Sequence, residues 1–349
     1  MDTIDLLRRL SEAPGVSGDE GAVRAILKEA IGPYVDEMRV DALGNLIAVR
    51  KATSPGDGQP LRVMVEAHMD EVGFMIVRVE KNGGLRFRAV GSIDDRILLS
   101  KVVHVGKDAV PGVIGVKPIH LLSDAEEKKV LEIEDLLIDI GASSQEEAER
   151  LVKRGDRAVF ATTFADLGSR LKGKAFDDRA GCAVLATLLA NGPYPVELHA
   201  VFAVQEEVGL RGARVAAYAV HPDLAIALEG TVCDDLPKEK DESPTTELGK
   251  GPALTVMDRS VIVDPRLLRF LIDTAVAEGI PYQFKQPGVG GTDAGRIHLA
   301  REGVPSAVVA VPCRYIHGPV ALLDKQDLAA TVRLVEAALR RITPAMLAR

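Results

Sequence analysis

Two adjacent acids, Glu206 and Glu207, closely follow an apolar segment at residues 198–204 and have the chemistry of a catalytic or metal-binding pair. A short apolar segment between a Gly-Pro pair and acids is typical of a buried strand. Two neighbouring carboxylates repel each other, so one pKa is raised unless a metal, a proton or a base partner is close. Acids at a strand end are more often simply solvated, and the other strand ends of the chain must therefore be compared.

Metal-binding residue types also follow other predicted strands or precede a predicted helix. They are His68 after segment 61–67, Glu229 after segment 224–228, His317 after segment 304–311, and Asp177 with Asp178 before an Ala- and Leu-rich helix. In open α/β sheets the ligand site lies at the carboxyl ends of the strands, so we expect these side chains to converge. Imidazoles and carboxylates without thiolates suit zinc, cobalt or manganese rather than copper(I) or an iron–sulfur cluster.

This set contains enough ligands for two ions, because one histidine, one acid and a shared aspartate per ion leave an open position on each. Two ions roughly 3.5–4 Å apart can lower the pKa of a bound water towards about 7 and polarise a carbonyl. Neighbouring residues in extended backbone point in opposite directions, so one of Glu206 and Glu207 can bind a metal while the other serves as general base. Asp70 either fixes the tautomer of the His68 imidazole or caps the loop after the strand.

The residue pattern of the segment at 72–163 differs from that of the rest of the chain. Short strands separated by Gly and Lys occur there, which is typical of a small β-barrel or sandwich. The flanking segments, 1–71 and 164–349, alternate apolar strands with helical patterns and predict one discontinuous α/β domain. Polar loops are expected at 53–59 and at 237–250, and the second is long enough to overhang a site.

Composition limits the partners of the chain. It has 349 residues and a net charge of −8, which argues against binding to nucleic acid. No stretch approaches the length of a membrane span, and the acidic N-terminus lacks the pattern of a secretory signal. Three widely spaced cysteines, Cys182, Cys233 and Cys313, predict buried thiols in a reducing cytoplasm rather than a disulfide framework. The expected partners are peptides, small molecules or further copies of the chain.

Six short motifs occur in an order that is specific, although each alone is a weak signal. They are Ala-His-Met-Asp-Glu-Val-Gly at 67–73, Ala-Phe-Asp-Asp-Arg-Ala-Gly at 175–181, Val-Gln-Glu-Glu-Val-Gly at 204–209, Leu-Glu-Gly-Thr at 228–231, Gly-Gly-Thr-Asp-Ala at 290–294 and Tyr-Ile-His at 315–317. Together they resemble the tetrahedral (TET) aminopeptidases, a family of glutamyl, leucyl and lysyl aminopeptidases of which some are labelled endoglucanases. The resemblance covers nearly the whole chain.

This resemblance implies a mixed-sheet α/β catalytic domain of the di-zinc aminopeptidase (phosphorylase/hydrolase-like) type, with an inserted small β-barrel that mediates dimerisation. The implied residue roles are His68 and Glu229 on one metal, Glu207 and His317 on the other, Asp177 as the bridge and Glu206 as general base. Asp178 is expected to shape the bridging Asp177 and not to bind metal. The implied cofactors are two divalent metal ions per subunit, zinc in the first place and cobalt or manganese as alternatives. Six dimers are implied to form a tetrahedral dodecamer.

We therefore predict a cytoplasmic, metal-dependent aminopeptidase that removes N-terminal residues from peptides. A di-metal deacylase or carboxypeptidase on the same core and a non-catalytic, metal-stabilised assembly protein remain alternatives. A glycoside hydrolase fits less well, because metals would be superfluous to its chemistry. The preferred first residue and the roles of Asp293, Asp235 and His120 stay open, and a second Asp-Asp-Arg motif at 94–96 is assigned to structure.

Overall fold

The protein is described by a computed structural model that covers residues 1–53, 59–237 and 245–347. The two predicted polar loops fall partly outside the described residues, at 54–58 and at 238–244. Within the described ranges, no helix combines the length and the apolar character needed to cross a membrane.

The described residues form a mixed sheet and a separate closed barrel. In chain order the strands are β1 (Glu37–Val40), β2 (Leu46–Arg50), β3 (Arg62–His68), β4 (Gly73–Val79), β5 (Leu85–Val90), β6 (Val102–Val105), β7 (Val110–Ile114), β8 (Ile138–Asp139), β9 (Arg157–Phe160), β10 (Ala165–Asp166), β11 (Arg170–Gly173), β12 (Glu197–Ala203), β13 (Leu224–Cys233), β14 (Ala253–Leu254), β15 (Gln283–Phe284), β16 (Ser306–Arg314) and β17 (Ala321–Asp324). Strands β4 to β9 build the barrel, and the others build the sheet.

The centre of the sheet consists of parallel strands. The order along the sheet is β1-β2-β12-β3-β13-β16-β17-β11-β10, with β14 paired to both β15 and β16. Strands β12, β3, β13 and β16 run parallel to one another, and antiparallel strands continue the sheet on both sides. Four neighbouring strands therefore bring their carboxyl ends to the same edge, where α/β proteins bind their ligands.

The four parallel strands are almost continuously apolar because helices cover both faces of the sheet. The helices are α1 (Thr3–Glu12), α2 (Gly21–Ile31), α3 (Asp124–Glu127), α4 (Gln145–Leu151), α5 (Phe176–Asn191), α6 (Arg211–Val220), α7 (Pro265–Ala277), α8 (Ala294–Ile297) and α9 (Lys325–Arg341). Helices α1, α2, α5, α7 and α9 share one core with the sheet, α6 packs on the opposite face, and the short α8 contributes to both cores. Helix α5 is buried along most of its length, as expected for a helix that is apolar all round.

The barrel has a hydrophobic core of its own. Phe74 packs edge-on against Phe87 and Phe160, with ring centroids 5.1 and 5.2 Å apart. Strand β3 ends at His68 and β4 already begins at Gly73. The short connection fixes the barrel beside the strand ends of the sheet.

These features confirm the predicted fold class, a mixed-sheet α/β domain with an inserted small β-barrel. They also decide between the two predicted arrangements of the inserted strands, which close into a barrel and do not form a sandwich. Strand β13 differs from the prediction, because it does not end at Glu229 but continues to Cys233 in register with β16. Glu229 therefore lies inside a buried strand.

Candidate metal centre

His68 is the last residue of β3, and its side chain is only 1% exposed. Strands β3 and β13 are paired up to Glu66 and Ala227, so His68 lies where the two strands begin to separate. Its Nδ1 is 3.2 Å from the backbone carbonyl oxygen of Asp70 and 3.5 Å from the Asp70 carboxylate. Both contacts favour a proton on Nδ1, which leaves the lone pair of Nε2 facing the strand ends.

The carboxylate of Asp70 contacts both the imidazole of His68 and the loop that follows β12. Besides its contact with the imidazole, it accepts hydrogen bonds from Ser17 Oγ at 2.6 Å and from the backbone N–H groups of Glu206 and Glu207 at 2.9 and 3.2 Å. Asp70 therefore links the end of β3 to the loop that follows β12.

Glu206 and Glu207 do not continue β12 in extended backbone, and this part of the prediction is wrong. Gln205 has a left-handed φ of 58°, and a turn follows it. The two acids diverge because of this turn: Glu206 Oε2 lies 3.9 Å from His68 Nε2, whereas Glu207 Oε2 lies 3.4 Å from His317 Nε2.

Asp177 lies at the centre of the cluster. Its backbone packs closely against β13 at Gly230. A Cβ added at Gly230 would lie 2.7 Å from the Asp177 Cα, so a side chain at position 230 would prevent this close approach. Asp177 and Asp178 both have non-helical backbone at the start of α5. Asp177 Oδ1 is 3.3 Å from His68 Nε2, and Asp177 Oδ2 is 3.4 Å from His317 Nε2. Each oxygen of one carboxylate therefore faces a different imidazole.

Among the described residues, two groups that share Asp177 bring their ligand atoms close enough to hold a metal ion. These groups are His68, Asp177 and Glu229, and Asp177, Glu207 and His317. The spacing within the first group includes 3.6 Å between His68 Nε2 and Glu229 Oε2. Two ligands that are each about 2.0–2.1 Å from a zinc ion at a tetrahedral angle lie about 3.3–3.4 Å apart. The observed spacings are close to this value.

A buried nitrogen that lacks a hydrogen-bond partner also indicates a cation site. His68 Nε2 is buried and has no hydrogen-bond partner among the described residues, although buried polar atoms are nearly always satisfied. The side chains nearest to it are acids, which can share a divalent ion with a neutral imidazole. The residues present therefore fit a pair of divalent cations that share Asp177.

The acids and the imidazoles shift one another's proton affinity in the metal-free protein. Burial raises the pKa of Glu206 and of Glu229 well above the ordinary value, and it raises the pKa of Glu207 to about 7. Burial also acts to raise the pKa of Asp177, but the two neighbouring imidazoles lower this pKa overall. Burial opposes the charge on His317, yet the adjacent carboxylates raise its pKa to about 9. Binding of metal must therefore displace protons from this cluster.

Further acids lie behind the ligands. Asp178 is buried and accepts a hydrogen bond from the backbone N–H of Gly181 at 2.9 Å. Asp293 donates its backbone N–H to Glu229 Oε1 at 3.2 Å, so it contacts a candidate ligand through its main chain. The carboxylate oxygens of Asp293 and Glu66 are buried without a hydrogen-bond partner in the described part of the chain, and burial raises the pKa of both groups.

The remaining residues that the sequence singled out lie outside the two metal-binding groups. Asp235 forms an ion pair with Arg314 at 2.6 Å and accepts a hydrogen bond from the backbone N–H of Leu248. His120 is exposed in a short 3-10 turn of the barrel insertion. The motif at 94–96 also belongs to the insertion, in the loop between β5 and β6.

One buried ion-pair network near the site was not predicted. Lys174 Nζ lies 2.6 Å from Glu71 Oε1, and Arg179 Nη2 lies 3.3 Å from the same oxygen. Arg179 also donates from Nε to the backbone carbonyl of Met69 at 2.8 Å. The network joins the segment after His68 to the start of α5. It therefore connects the two elements that carry His68 and Asp177.

The protein thus combines a mixed α/β sheet and an inserted barrel with two groups of residues that could hold metal ions. The sequence profile of the M42 glutamyl aminopeptidase family matches residues 44–334, and the chain belongs to this family. The M42 proteins are metal-dependent aminopeptidases, so the protein is a hydrolase that acts as an exopeptidase. The resemblance to the TET aminopeptidases is confirmed.

Similarity to individual proteins extends over almost the full length. The lysyl aminopeptidase of Pyrococcus furiosus is 36% identical over 348 residues, which cover 97% of each chain. A TET aminopeptidase from a marine-sediment Thaumarchaeota archaeon has a TM-score of 0.94 and 40% identity, with 99% of this chain and 98% of that chain covered. The TET1 peptidase of Pyrococcus horikoshii, which can assemble into a tetrahedron or a large octahedral shell, has a TM-score of 0.86 and 35% identity, with 98% and 100% covered.

Proposed function

We propose that the protein is a two-metal aminopeptidase that removes N-terminal residues from peptides. The observation that carries this proposal is the position of Asp177, whose two oxygens lie 3.3 and 3.4 Å from two different imidazoles. His68 and Glu229 complete one metal site, and Glu207 and His317 complete the other. Zinc is the proposed metal, with cobalt and manganese as alternatives, because the ligands are nitrogen and oxygen atoms only.

Glu206 is the proposed general base. When bound, two divalent cations polarise the substrate carbonyl and make an attacking water more acidic. The Glu206 side chain stays outside both ligand groups, is 12% exposed and lies 3.9 Å from His68 Nε2. It takes a proton from the water and passes it to the leaving amine. The buried carboxylates around it supply negative charge for the free N-terminal ammonium group of the peptide.

The two structural units receive separate proposed roles. Residues 1–71 and 164–349 form the catalytic domain, and residues 72–163 form a dimerisation domain. Exposed apolar side chains on the insertion support a role in self-association, and they include Val102, Val113, Ile119, Leu121 and Val130. The assembly of the Pyrococcus horikoshii relative supports a tetrahedral dodecamer of six dimers. A cytoplasmic location is proposed on the three free, buried cysteines.

The variant Glu206→Gln tests the mechanism. It keeps the shape of the side chain but cannot accept the proton, so turnover of an aminoacyl chromogenic amide should fall by about 10²- to 10⁴-fold. The bound metal, measured by atomic emission, should remain at two ions per subunit. The matched control is Glu197→Gln on β12, whose carboxylate contacts His199 away from the site, and it should keep full activity. Near-normal turnover of Glu206→Gln would exclude Glu206 as the base.

A substrate panel separates the proposal from its rivals. Peptides with a free N-terminal amine should be cleaved, and the same peptides with a blocked amine should not. Cleavage of blocked peptides alone would instead indicate a deacylase, and release of C-terminal residues a carboxypeptidase. No hydrolysis by protein that holds two ions would favour a non-catalytic assembly protein. The panel should vary the first residue, since the family is described as glutamyl and a relative as lysyl.

A further inference from the structure

The loop at 91–101, which connects β5 and β6 of the barrel, reaches the metal-binding cluster of the sheet. His317 Nδ1 donates a hydrogen bond to the backbone carbonyl oxygen of Ser92 at 2.9 Å. We infer that this barrel loop positions the His317 imidazole, so that the affinity of one of the two metals depends on the barrel while that of the other does not. The inference rests on the proposed two-metal site.

The hydrogen bond determines which nitrogen of His317 is free. A proton on Nδ1 leaves the lone pair on Nε2, which lies 3.4 Å from Asp177 Oδ2 and 3.4 Å from Glu207 Oε2. Histidine ligands are usually held in this way by an acceptor on the other ring nitrogen. The side chain of His317 is 34% exposed, so packing restrains it less than it restrains His68.

The loop itself is held by the barrel. The side chain of Leu98 is fully buried in the barrel core. Asp95 Oδ2 accepts a hydrogen bond from the backbone N–H of Ile133 at 3.0 Å. The Asp-Asp-Arg motif at 94–96 therefore has a structural function that bears on the site. The loop that carries the Ser92 carbonyl is therefore tied to the barrel core.

A glycine allows the loop to approach the ligands. Gly91 has a φ of +84°, and an added Cβ would lie 2.7 Å from Val72 Cγ1 and 3.4 Å from the Glu207 Cβ. A side chain at this position is strained by the left-handed backbone and must also displace a neighbour. Substitution of Gly91 should therefore shift the adjacent Ser92 carbonyl away from His317.

The test is a titration of the metal-free, full-length variant Gly91→Ala with Co²⁺, followed by visible absorption. We expect one ion to bind as in the unchanged protein and the second to bind about 10- to 100-fold more weakly, which is the usual effect of losing an outer partner of a ligand. The spectrum of the ion that remains should match that of His317→Ala. The control is Gly141→Ala, which has a φ of +80° but no described atom within 4 Å of the added Cβ, and which should bind two ions normally.

A second pair of variants covers the case in which Gly91→Ala does not fold. Asp95→Ala removes the acceptor for the Ile133 N–H and should weaken the same ion, although by less. Asp95→Asn retains an oxygen that can accept this bond and should restore the affinity. A role in stability alone would lower the melting temperature without this selective loss of one ion.

The outcomes separate this inference from the proposed function. If His317→Ala keeps two ions, the two-metal assignment is wrong. If His317→Ala loses one ion but folded Gly91→Ala and Asp95→Ala both bind two ions with unchanged affinity, the barrel loop does not position His317 and the inference alone is overturned. Equal weakening of both ions in Gly91→Ala would also overturn it.

Discussion

The two imidazoles of the candidate metal centre are held in different ways. His68 ends a central strand, is almost fully buried, and has its Nδ1 next to Asp70 of the same chain segment. His317 lies in the loop after β16, is one-third exposed, and donates its Nδ1–H to Ser92 of the barrel loop. The sheet and its helices therefore build the His68 half of the site, whereas the His317 half also depends on a contact with the barrel loop.

This difference begins in the backbone. An extended strand already directs the His68 side chain to the edge of the sheet, without unusual torsion angles. Tyr315 and His317 instead adopt left-handed φ values of 70° and 58°, which cost of order 1 kcal/mol or more each in residues with a side chain. Such a conformation persists only where tertiary contacts hold it. The His317 half should therefore be the more easily disturbed part of the centre.

The largest effect on stability is expected from Glu71→Ala, because Glu71 anchors the His68 half. Its removal leaves Lys174 and Arg179 buried without their acid. Removing one partner of a buried ion pair typically costs about 3–5 kcal/mol of the free energy of unfolding. Urea unfolding, monitored by circular dichroism, measures this loss.

The matched control for Glu71→Ala is Glu80→Ala in the barrel. Glu80 also contacts two basic groups, Arg78 and Arg86, but its side chain is 25% exposed. Ion pairs at the surface contribute little to stability, so this variant should lose far less. Similar losses in the two variants would contradict the view that the Glu71 network is a central anchor of the site.

The next prediction compares the effects of replacing each of the two histidines. Both His68→Ala and His317→Ala should lose one metal ion and most of the activity. In the metal-free protein, His68→Ala leaves buried acids without their imidazole and should cost about 3 kcal/mol. His317→Ala should cost less than His68→Ala, because water screens a partly exposed pair. Equal losses in urea unfolding would show that the two halves are equally well anchored, and the comparison would fail.

The strand ends and their residue types could be predicted from the sequence. Strands β3, β12, β13 and β16 are buried apolar segments that are visible without a structure, and parallel order follows from the α/β pattern. His68 and Glu207 could therefore be placed near each other, although they are far apart in the chain. The exact end of β13 could not, because the residues after Glu229 continue to suit a buried strand.

Contacts that depend on tertiary structure alone could not be predicted. Lys174 and Glu71 are 103 residues apart, and residue type does not reveal which charges pair. The acceptor for His317 is the carbonyl of Ser92, a group that every residue carries. Gln205 is not a typical turn residue, so its left-handed backbone gave no signal and the separation of Glu206 from Glu207 was assigned to the wrong cause.

The smallest expected effect is a pH dependence of the stability that His317 contributes to its half of the site. In the metal-free protein, Asp177 and Glu207 raise the pKa of His317 to about 9 against the opposing effect of burial. The value in the unfolded chain is about 6.5, so between these values the folded state holds more protons. This contribution to stability is complete below about pH 6.5 and is lost as the pH rises through about 9.

Thermal unfolding of chelator-treated protein at a series of pH values measures this contribution. The melting temperature of the unchanged protein should exceed that of His317→Gln at pH 6, and the gap should narrow towards pH 10 (a range that brackets about 6.5 and about 9). His104→Gln, at an exposed position of β6, is the control and should follow the unchanged protein at every pH. A gap that stays constant would mean that the imidazole of His317 carries no proton beside its two acids, and that the loop holds it through the Ser92 contact alone.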